Sequence, residues 1–314
     1  MRKFFLIKNQ HTFQGEKLLQ KNNVYFEGWY YKNTTEKDSI VFIPGINITS
    51  QNKEAFIQVL TSNKSYYLNY SIEDFEYRIE PFYIKIGNNI FTKDNIHIDI
   101  KKKNLRIFGN INYTFIQNIK KSKYSPNIMG PFSYLPFMEC NHAIIGMKIK
   151  ANGILKINNN QLIFKGTPSY IEKDWGYSFP QKYIWCQANN FNKYLSSFMI
   201  SIAHIPFKIF YFCGLVCSLI VDNVEYRFTT YNNSKIKKFT IQNDCVEILL
   251  KKGKLLLHIA IKNYTGQRLI APIKGKMSKE IIESINAVTT VTLKKKDKTI
   301  YSDTSTNCGL EIVK

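Results

Sequence analysis

The sequence predicts an all-β protein made of two antiparallel β-barrel domains. Three observations predict it: apolar side chains that alternate with period two, Gly- and Asn-rich turn signals between the alternating runs, and little helical spacing. Residues 95–100 show the alternation. Ile96, Ile98 and Ile100 fall on one face and His97 and Asp99 on the other, the pattern of a half-buried strand. The turn signals are Gly87-Asn88-Asn89, Asn152-Gly153, Asn158-Asn159-Asn160, Asp222-Asn223, Asn232-Asn233 and Lys252-Gly253, so hairpins follow one another in series. The best helical spacing is at residues 278–287, where Ile281, Ile282 and Ile285 stand behind a Ser278 cap; a ladder strand suits the same residues.

The chain has 314 residues, more than one small domain needs. Its 44% hydrophobic and 14% aromatic content supplies a core and excludes disorder as the main state. A boundary is expected near Lys150, after Pro126, Pro131 and Pro136 and before the Asn152-Gly153 turn, giving domains at 1–150 and 151–314.

The 44 Lys and Arg against 23 Asp and Glu give a net charge of +21, which attracts nucleic acid, anionic lipid or an acidic substrate. The Lys runs at 101–103, 120–123, 235–238, 251–254 and 294–298 are scattered between apolar runs, as solvated hairpin ends are. Lys, Asn, Ile, Tyr and Phe all use A/T-rich codons, so a low-GC genome produces much of this bias without a function. No specific nucleic-acid partner is expected, and a peripheral contact with an anionic membrane stays open.

Six cysteines at unrelated spacings form neither a disulfide scaffold nor a zinc module. Cys140, Cys186, Cys213 and Cys217 read as buried free thiols in a reducing compartment. The apolar residues 4–7 are too few for a signal peptide, and the run at 209–221, bracketed by Lys208 and Asp222, is shorter than the ~18 residues of a spanning helix. A cytoplasmic protein, at most peripheral to the inner face of the membrane, is the expectation.

Two segments break the hairpin pattern. Residues 130–142 place Glu139 and His142 among aromatics and prolines. Burial there raises a carboxyl pKa, and a neutral acid at pH 7 can donate a proton; equally, both side chains could satisfy backbone groups in a buried turn. In residues 169–180 an extended chain puts Tyr170, Glu172 and Asp174 on one face and Ile171 and Lys173 on the other. Close carboxylates push one pKa up. The structural alternative is a corner in which Lys173 pairs with a carboxylate and Trp175 is a packing plug. In the next strand Trp185, Gln187 and Asn189 alternate onto one face and mix an aromatic wall with amides, as a pocket lining does.

Gly-x-x-x-x-Gly-Lys-Ser/Thr, Gly-x-Gly-x-x-Gly, Gly-x-Ser-x-Gly and His-Glu-x-x-His are absent. Nucleotide hydrolysis, dinucleotide binding and zincin chemistry therefore drop out. His11, His97, His142, His204 and His258 have unrelated spacings, so no metal is expected.

The chain resembles the tocopherol cyclase family. The pieces that carry the resemblance are residues 26–32 (Phe26-Glu27-Gly28-Trp29-Tyr30-Tyr31-Lys32), 130–142, 170–180 with 185–191, Ala271-Pro272, and 308–312. The specific part is Glu172-Lys173-Asp174-Trp175-Gly176 followed by Trp185-x-Gln187-x-Asn189. The resemblance implies two lipocalin-like barrels, distantly similar to carotenoid hydratases, and Gly28-Trp29 resembles the Gly-x-Trp first strand of lipocalins. It also implies cofactor-independent closure of a chromanol ring on a prenylated hydroquinone or related isoprenoid. That reaction needs an acid to protonate an alkene, aromatic faces for the tertiary cation, and a base for the phenol proton. The candidates are Glu139, Glu172 or Asp174 as acid, Tyr170, Trp175 and Trp185 facing the cation, and His142 as base. Glu27, Trp29, Phe132, Trp175, Trp185, Gln187 and Asn189 are expected to line the substrate.

Two positions depart from the plastid pattern. Asp174 stands where that pattern has Asn, and its histidine falls one residue earlier, at Asn141 here. The departures rank Glu139 and Glu172 above Asp174 and His142. They also leave open a second class of function, a lipocalin-like carrier of an apolar ligand with no chemistry.

Overall fold

The computed structural model describes residues 9–20, 24–135, 138–193, 195–207, 210–242 and 244–314, with backbone alone for Phe207 and Phe210. Residues 1–8, Pro136, Lys208 and Ile209, named above, lie outside this set. A short helix, α1 (Glu16–Leu19), precedes the first sheet. That sheet contains β1 (Tyr25–Thr34), β2 (Ser39–Ile48), β3 (Lys53–Thr61), β4 (Ser65–Ser71), β5 (Phe75–Arg78), β6 (Tyr83–Ile86), β7 (Asn89–Thr92), β8 (Asn95–Lys102), β9 (Leu105–Gln117), β10 (Cys140–Ile157) and β11 (Asn160–Gly176). Its spatial order is β4-β3-β2-β1-β11-β10-β9-β8-β7-β6-β5, antiparallel throughout. A single 3-10 turn, Ile72–Asp74, joins the two edge strands β4 and β5. One face of all eleven strands therefore closes around one core, from Trp29, Tyr31 and Phe42 to Phe91, Ile98 and Ile111.

The second sheet contains β12 (Tyr183–Ala188), β13 (Ser197–Phe207), β14 (Phe210–Val221), β15 (Val224–Thr229), β16 (Lys235–Gln242), β17 (Cys245–Lys252), β18 (Leu255–Lys262), β20 (Lys276–Lys295) and β21 (Lys298–Val313), with β19 (Gln267–Ile273) paired to β20. Its order is β15-β14-β13-β12-β21-β20-β18-β17-β16. A second 3-10 turn, Thr230–Asn232, again joins the edge strands, and a second core runs through Ile184, Phe198, Leu219, Ile248, Ile259 and Val291. The protein is all-β, with two antiparallel barrels, as expected. Each fully buried Leu, Ile or Phe contributes roughly 1.5–3 kcal/mol over an exposed one, so each barrel is held mainly by its filled interior. Among the described residues no helix is long and apolar enough to cross a membrane.

By contacts the chain divides into Met1–Phe179 with Leu269–Glu280, and Pro180–Arg268 with Ile281–Lys314. The change of unit falls at Phe179, not near Lys150, which lies inside β10 between partners on β9 and β11. The proline-bearing stretch after β9 is no linker; it covers the first half of β10. Residues 278–287 are part of strand β20, not a helix. Their β-branched side chains alternate in burial, and Ser278 Oγ bonds only two residues back, to the Lys276 carbonyl. The cysteines are free, with Cys186, Cys217 and Cys308 buried. Cys213 is exposed: it shares the face of Cys217 but lies beyond the last residue of β15 that pairs with β14.

The segment before β1 crosses the end of the first barrel. Phe13 is buried against Trp29, Phe75 and Tyr77. Trp29 Nε1 donates to the His11 carbonyl at 2.9 Å. Glu27 accepts from Gln14 N at 2.9 Å, Gly15 N at 3.0 Å and Tyr25 OH at 2.6 Å, and pairs with Lys173 Nζ at 2.5 Å. Lys173 in turn donates to the carbonyls of Gln10 and Thr12 at 3.0 and 2.6 Å, between the rings of Trp29 and Trp175. Burial lowers the Lys173 ammonium to about 8, against the pull of Glu27. Burial, with Lys121, Lys173 and Lys93 nearby, lowers His11 to about 4, so its ring is neutral against Phe82. These contacts strap residues 9–15 across the core.

Candidate active site

The site lies on the face of the first sheet opposite that core. On β11 the alternation is the expected one: Ile171 and Lys173 point to the core side, and Tyr170, Glu172 and Asp174 to the other. Register brings two neighbours to the same face. Gly28, Tyr30 and Lys32 of β1 stand opposite Asp174, Glu172 and Tyr170, and His142 and Ile144 of β10 stand opposite Asp174 and Glu172.

The first half of β10 has no β9 beside it, because β9 ends at Gln117 opposite Lys148. Residues 118–135 take over the missing ladder. Asn127 Oδ1 accepts from Ile144 N at 2.9 Å while its Nδ2 donates to the Ile144 carbonyl at 3.2 Å, Asn118 Nδ2 donates to the Ile145 carbonyl, and His142 N contacts Met129 Sδ at 3.0 Å. Register shifts at Ile144/Gly146 and Gly146/Ile149 bend β10 beside the site. At the other end of the pair, Gly176 lets the chains close: a Cβ there would lie 2.1 Å from the Glu139 carbonyl, which accepts from Tyr177 N and Ser178 N.

The result is a buried polar run. Tyr170 OH donates to Glu172 Oε2 at 2.6 Å. The same oxygen lies 3.4 Å from His142 Nε2, and His142 Nδ1 lies 3.0 Å from Asp174 Oδ1. Tyr170 is fully buried and Glu172 is 4% exposed, whereas the Asp174 side chain is 23% exposed. Burial, reinforced by Glu172, holds the Tyr170 phenol well above its ordinary range, so it stays a donor. Cys140 Sγ sits 3.8 Å from Asp174 Oδ1, and burial keeps the thiol protonated.

The structure thus brings together Tyr170, Glu172, His142 and Asp174 but does not join Glu139 to them through any described side-chain hydrogen bond. Glu139 Oε1 is buried without a hydrogen-bond partner among the described residues, and burial raises its carboxyl to about 7. The two departures from the plastid pattern, His142 and Asp174, are cross-strand partners bonded to each other. Glu27, Trp29 and Trp175 occupy the opposite, core-side face, where the Lys173 ammonium lies over both indoles. The corner of Lys173, a carboxylate and Trp175 therefore exists as well, back to back with the polar run. Phe132 lies in the 3-10 turn Gly130–Tyr134 of the covering segment.

Trp185 and Gln187 belong to the second unit, on the face of β12 away from its core, and Asn189 follows on the same alternation. Both polar ends of the buried Asn189 carboxamide are without a hydrogen-bond partner among the described residues. Tyr30, 6% exposed, and Lys32, fully buried, were missed as site residues. Their signal is the alternation in residues 26–32, in which Glu27 and Trp29 mark the core side and Gly28, Tyr30 and Lys32 the side of the polar run. A metal was not expected, yet one nitrogen of His142 and one oxygen each of Glu172 and Asp174 lie within 4.8 Å of one another, a set able to ligate a divalent cation. An open depression of about 960 Å³ on β16–β18, lined by Lys238, Glu247 and Lys262 among others, carries an exposed ion pair and none of this chemistry.

The family model described as tocopherol cyclase-like matches residues 114–313. No curated protein matches the sequence significantly. Among solved structures, an AttH-like protein of Nitrosomonas europaea is 12% identical over 98% of this chain and 96% of its own, with a TM-score of 0.53. Kievitone hydratase of Nectria haematococca is 12% identical over 93% and 89%, with a TM-score of 0.48. The first of these shares the fold. The family match spans β10, β11 and the whole second sheet, including every residue of the polar run, and the chain belongs to the tocopherol cyclase-like family.

Proposed function

We propose that the protein is a cofactor-independent cyclase that adds a phenol or hydroxyl across a prenyl double bond of a prenylated hydroquinone or related isoprenoid. The buried run from Tyr170 to Asp174 supports this above all. Asp174 accepts from Nδ1–H of His142, which fixes the tautomer and leaves Nε2 as an acceptor. Glu172, in its protonated form, donates its proton to the alkene carbon, and a tertiary cation forms. The phenol oxygen attacks that cation and forms the C–O bond, and His142 Nε2 takes the phenol proton. The 3.4 Å approach of His142 to Glu172 returns the proton to the carboxylate, so the cycle closes with no net proton and no redox change. Burial keeps water from capturing the cation, and the rings available to face it are Tyr30, opposite Glu172 in the β1–β11 register, and Tyr170, whose hydroxyl bonds to Glu172.

A carrier that holds its ligand inside the first barrel is less well supported, because that interior is filled by side chains from Phe13 to Phe164. Turnover and binding of a prenylated hydroquinone panel separate the two. Glu172→Gln should bind ligand as the wild type does and lose roughly 10²–10⁴-fold in rate, the usual contribution of a positioned acid. Normal turnover by that variant would remove Glu172 from the mechanism.

A further inference from the structure

We infer that the outer face of strands β8 to β11, where three exposed apolar side chains are flanked by unpaired cations, docks the protein on an anionic lipid bilayer. Cross-strand register builds this face. Lys101, Asp99 and His97 of β8 stand opposite Arg106, Phe108 and Asn110 of β9. Phe108 and Asn110 stand in turn opposite Lys156 and Ile154 of β10. Ile154 stands opposite Ile163 of β11, and Asn152, the next residue of β10 on this face, opposite Lys165. The alternate residues, Ile107, Ile111, Leu155 and Phe164, fill the core.

Phe108, Ile154 and Ile163 are 41, 45 and 46% exposed. Single exposed apolar residues are ordinary, but these three are neighbours. Ile154 and Ile163 are directly opposite each other, and Phe108 is the diagonal neighbour of Ile154. A joined patch of this kind marks an interaction surface. Around it Arg106, Lys150, Lys156 and Lys165 are exposed and pair with no carboxylate among the described residues. Lys156 Nζ lies over the Phe108 ring, 5.4 Å from its centroid, so its stem covers apolar surface while its ammonium stays free to meet a headgroup. The one carboxylate on this part of the face, Asp99, pairs with Lys101 at 3.3 Å.

Charge selects a polyanion. Residues 100–171 hold one of the chain's 23 Asp and Glu, the Glu139 of the candidate site, so β9, β10 and β11 as far as Ile171 contain no carboxylate. A genome-wide codon bias enriches lysine everywhere but does not clear acids from three adjacent strands. The apolar centre then chooses between polyanions. Bases of a single-stranded nucleic acid stack on aromatic rings, and the branched side chains of Ile154 and Ile163 offer them no flat surface. The same side chains enter the boundary between headgroups and acyl chains, with the cations at the level of the phosphates. The docking does not depend on the proposed reaction.

Flotation of the full chain with phosphatidylcholine vesicles, with and without phosphatidylserine, tests this. The wild type should float with the phosphatidylserine vesicles at low salt and less at high salt. Arg106→Ala, Lys156→Ala and Lys165→Ala combined should lower the partition constant about a hundredfold, near fivefold for each cation. The same loss of charge at the exposed Lys235, Lys237 and Lys254 of the second unit, each changed to Ala, should lower it by less than about fivefold. Ile163→Asp should lower it at least about tenfold, with gel-filtration volume and melting midpoint unchanged. Phe108→Trp emission should shift to the blue on adding vesicles. Four results would overturn the inference. They are no flotation with phosphatidylserine at low salt, whether or not the same three cations then bind oligothymidylate; equal losses in the two triple variants; flotation that Ile163→Asp leaves intact; and a lipid-free dimer that Ile163→Asp converts to monomer, which would make the face an interface between copies. Flotation needs no turnover, so failure of the cyclase proposal and failure of docking are read separately.

Discussion

Glu27→Gln should melt well below the wild type. Both partners of the Glu27–Lys173 pair are 0% exposed, so the change leaves a buried ammonium facing a neutral amide. Removing one partner of a buried pair costs about 3–5 kcal/mol. The loss here should fall toward the lower end, because Lys173 keeps the Gln10 and Thr12 carbonyls and the rings of Trp29 and Trp175. At about 2–4 °C per kcal/mol for a unit of this size, a loss of about 3 kcal/mol should drop the midpoint by roughly 6–12 °C. Calorimetry reads the midpoint, and hydrogen exchange should rise in residues 9–15, where an amide nitrogen replaces one of the two oxygens that accept from Gln14 N and Gly15 N. Glu27→Gln combined with Lys173→Met should recover part of the loss, since Met fills the lysine's space and removes the unpaired buried ammonium. A midpoint within ~2 °C of the wild type, with unchanged exchange, would refute the clasp. A double variant less stable than Glu27→Gln alone would refute the ion-pair reasoning. Because Glu27 is on the core side, KM should hardly move; a large rise in KM would return Glu27 to the substrate.

Asp174→Asn should reduce kcat less than Glu172→Gln does and shift the pH profile, since the amide no longer favours a charged His142; pH-rate curves of both variants check this. Glu139 has its folded carboxyl raised to about 7 by burial, so its protonated form favours the fold. That contribution is full below about pH 4 and lost as pH rises through about 7. Wild-type stability relative to Glu139→Gln should therefore fall between those values, and a flat difference in melting midpoint would contradict it. Zn²⁺ should raise the melting midpoint and inhibit turnover by gathering His142, Glu172 and Asp174, and His142→Ala should lose the thermal shift.

Local pattern made much of this legible. Alternation alone puts Ile96, Ile98 and Ile100 in the core and groups Tyr170, Glu172 and Asp174. The union with His142 was hidden, because it depends on the β10–β11 register across thirty residues of chain and on Asn118 and Asn127 standing in for a strand. Residues 26–32 misled for another reason. β1 is buried on both faces, so its binary pattern vanishes and the sequence does not say which face meets solvent, ligand or core. Residues 278–287 offered three isoleucines at helical spacing, but β-branching and partners on both sides of β20 made them strand. By contacts the change of unit comes at Phe179 rather than near Lys150, because the prolines after β9 build a cover over β10 and resemble in sequence the prolines of a linker.

Incubation with a prenylated hydroquinone in deuterated water tests the central claim most directly. Cyclisation conserves mass in ordinary water, whereas alkene protonation by Glu172 in deuterated water leaves a single non-exchangeable deuterium on carbon. A product heavier by one mass unit, lost in Glu172→Gln, is the predicted result. Ligand recovered unlabelled from an enzyme that binds it would contradict the cyclase and leave a carrier.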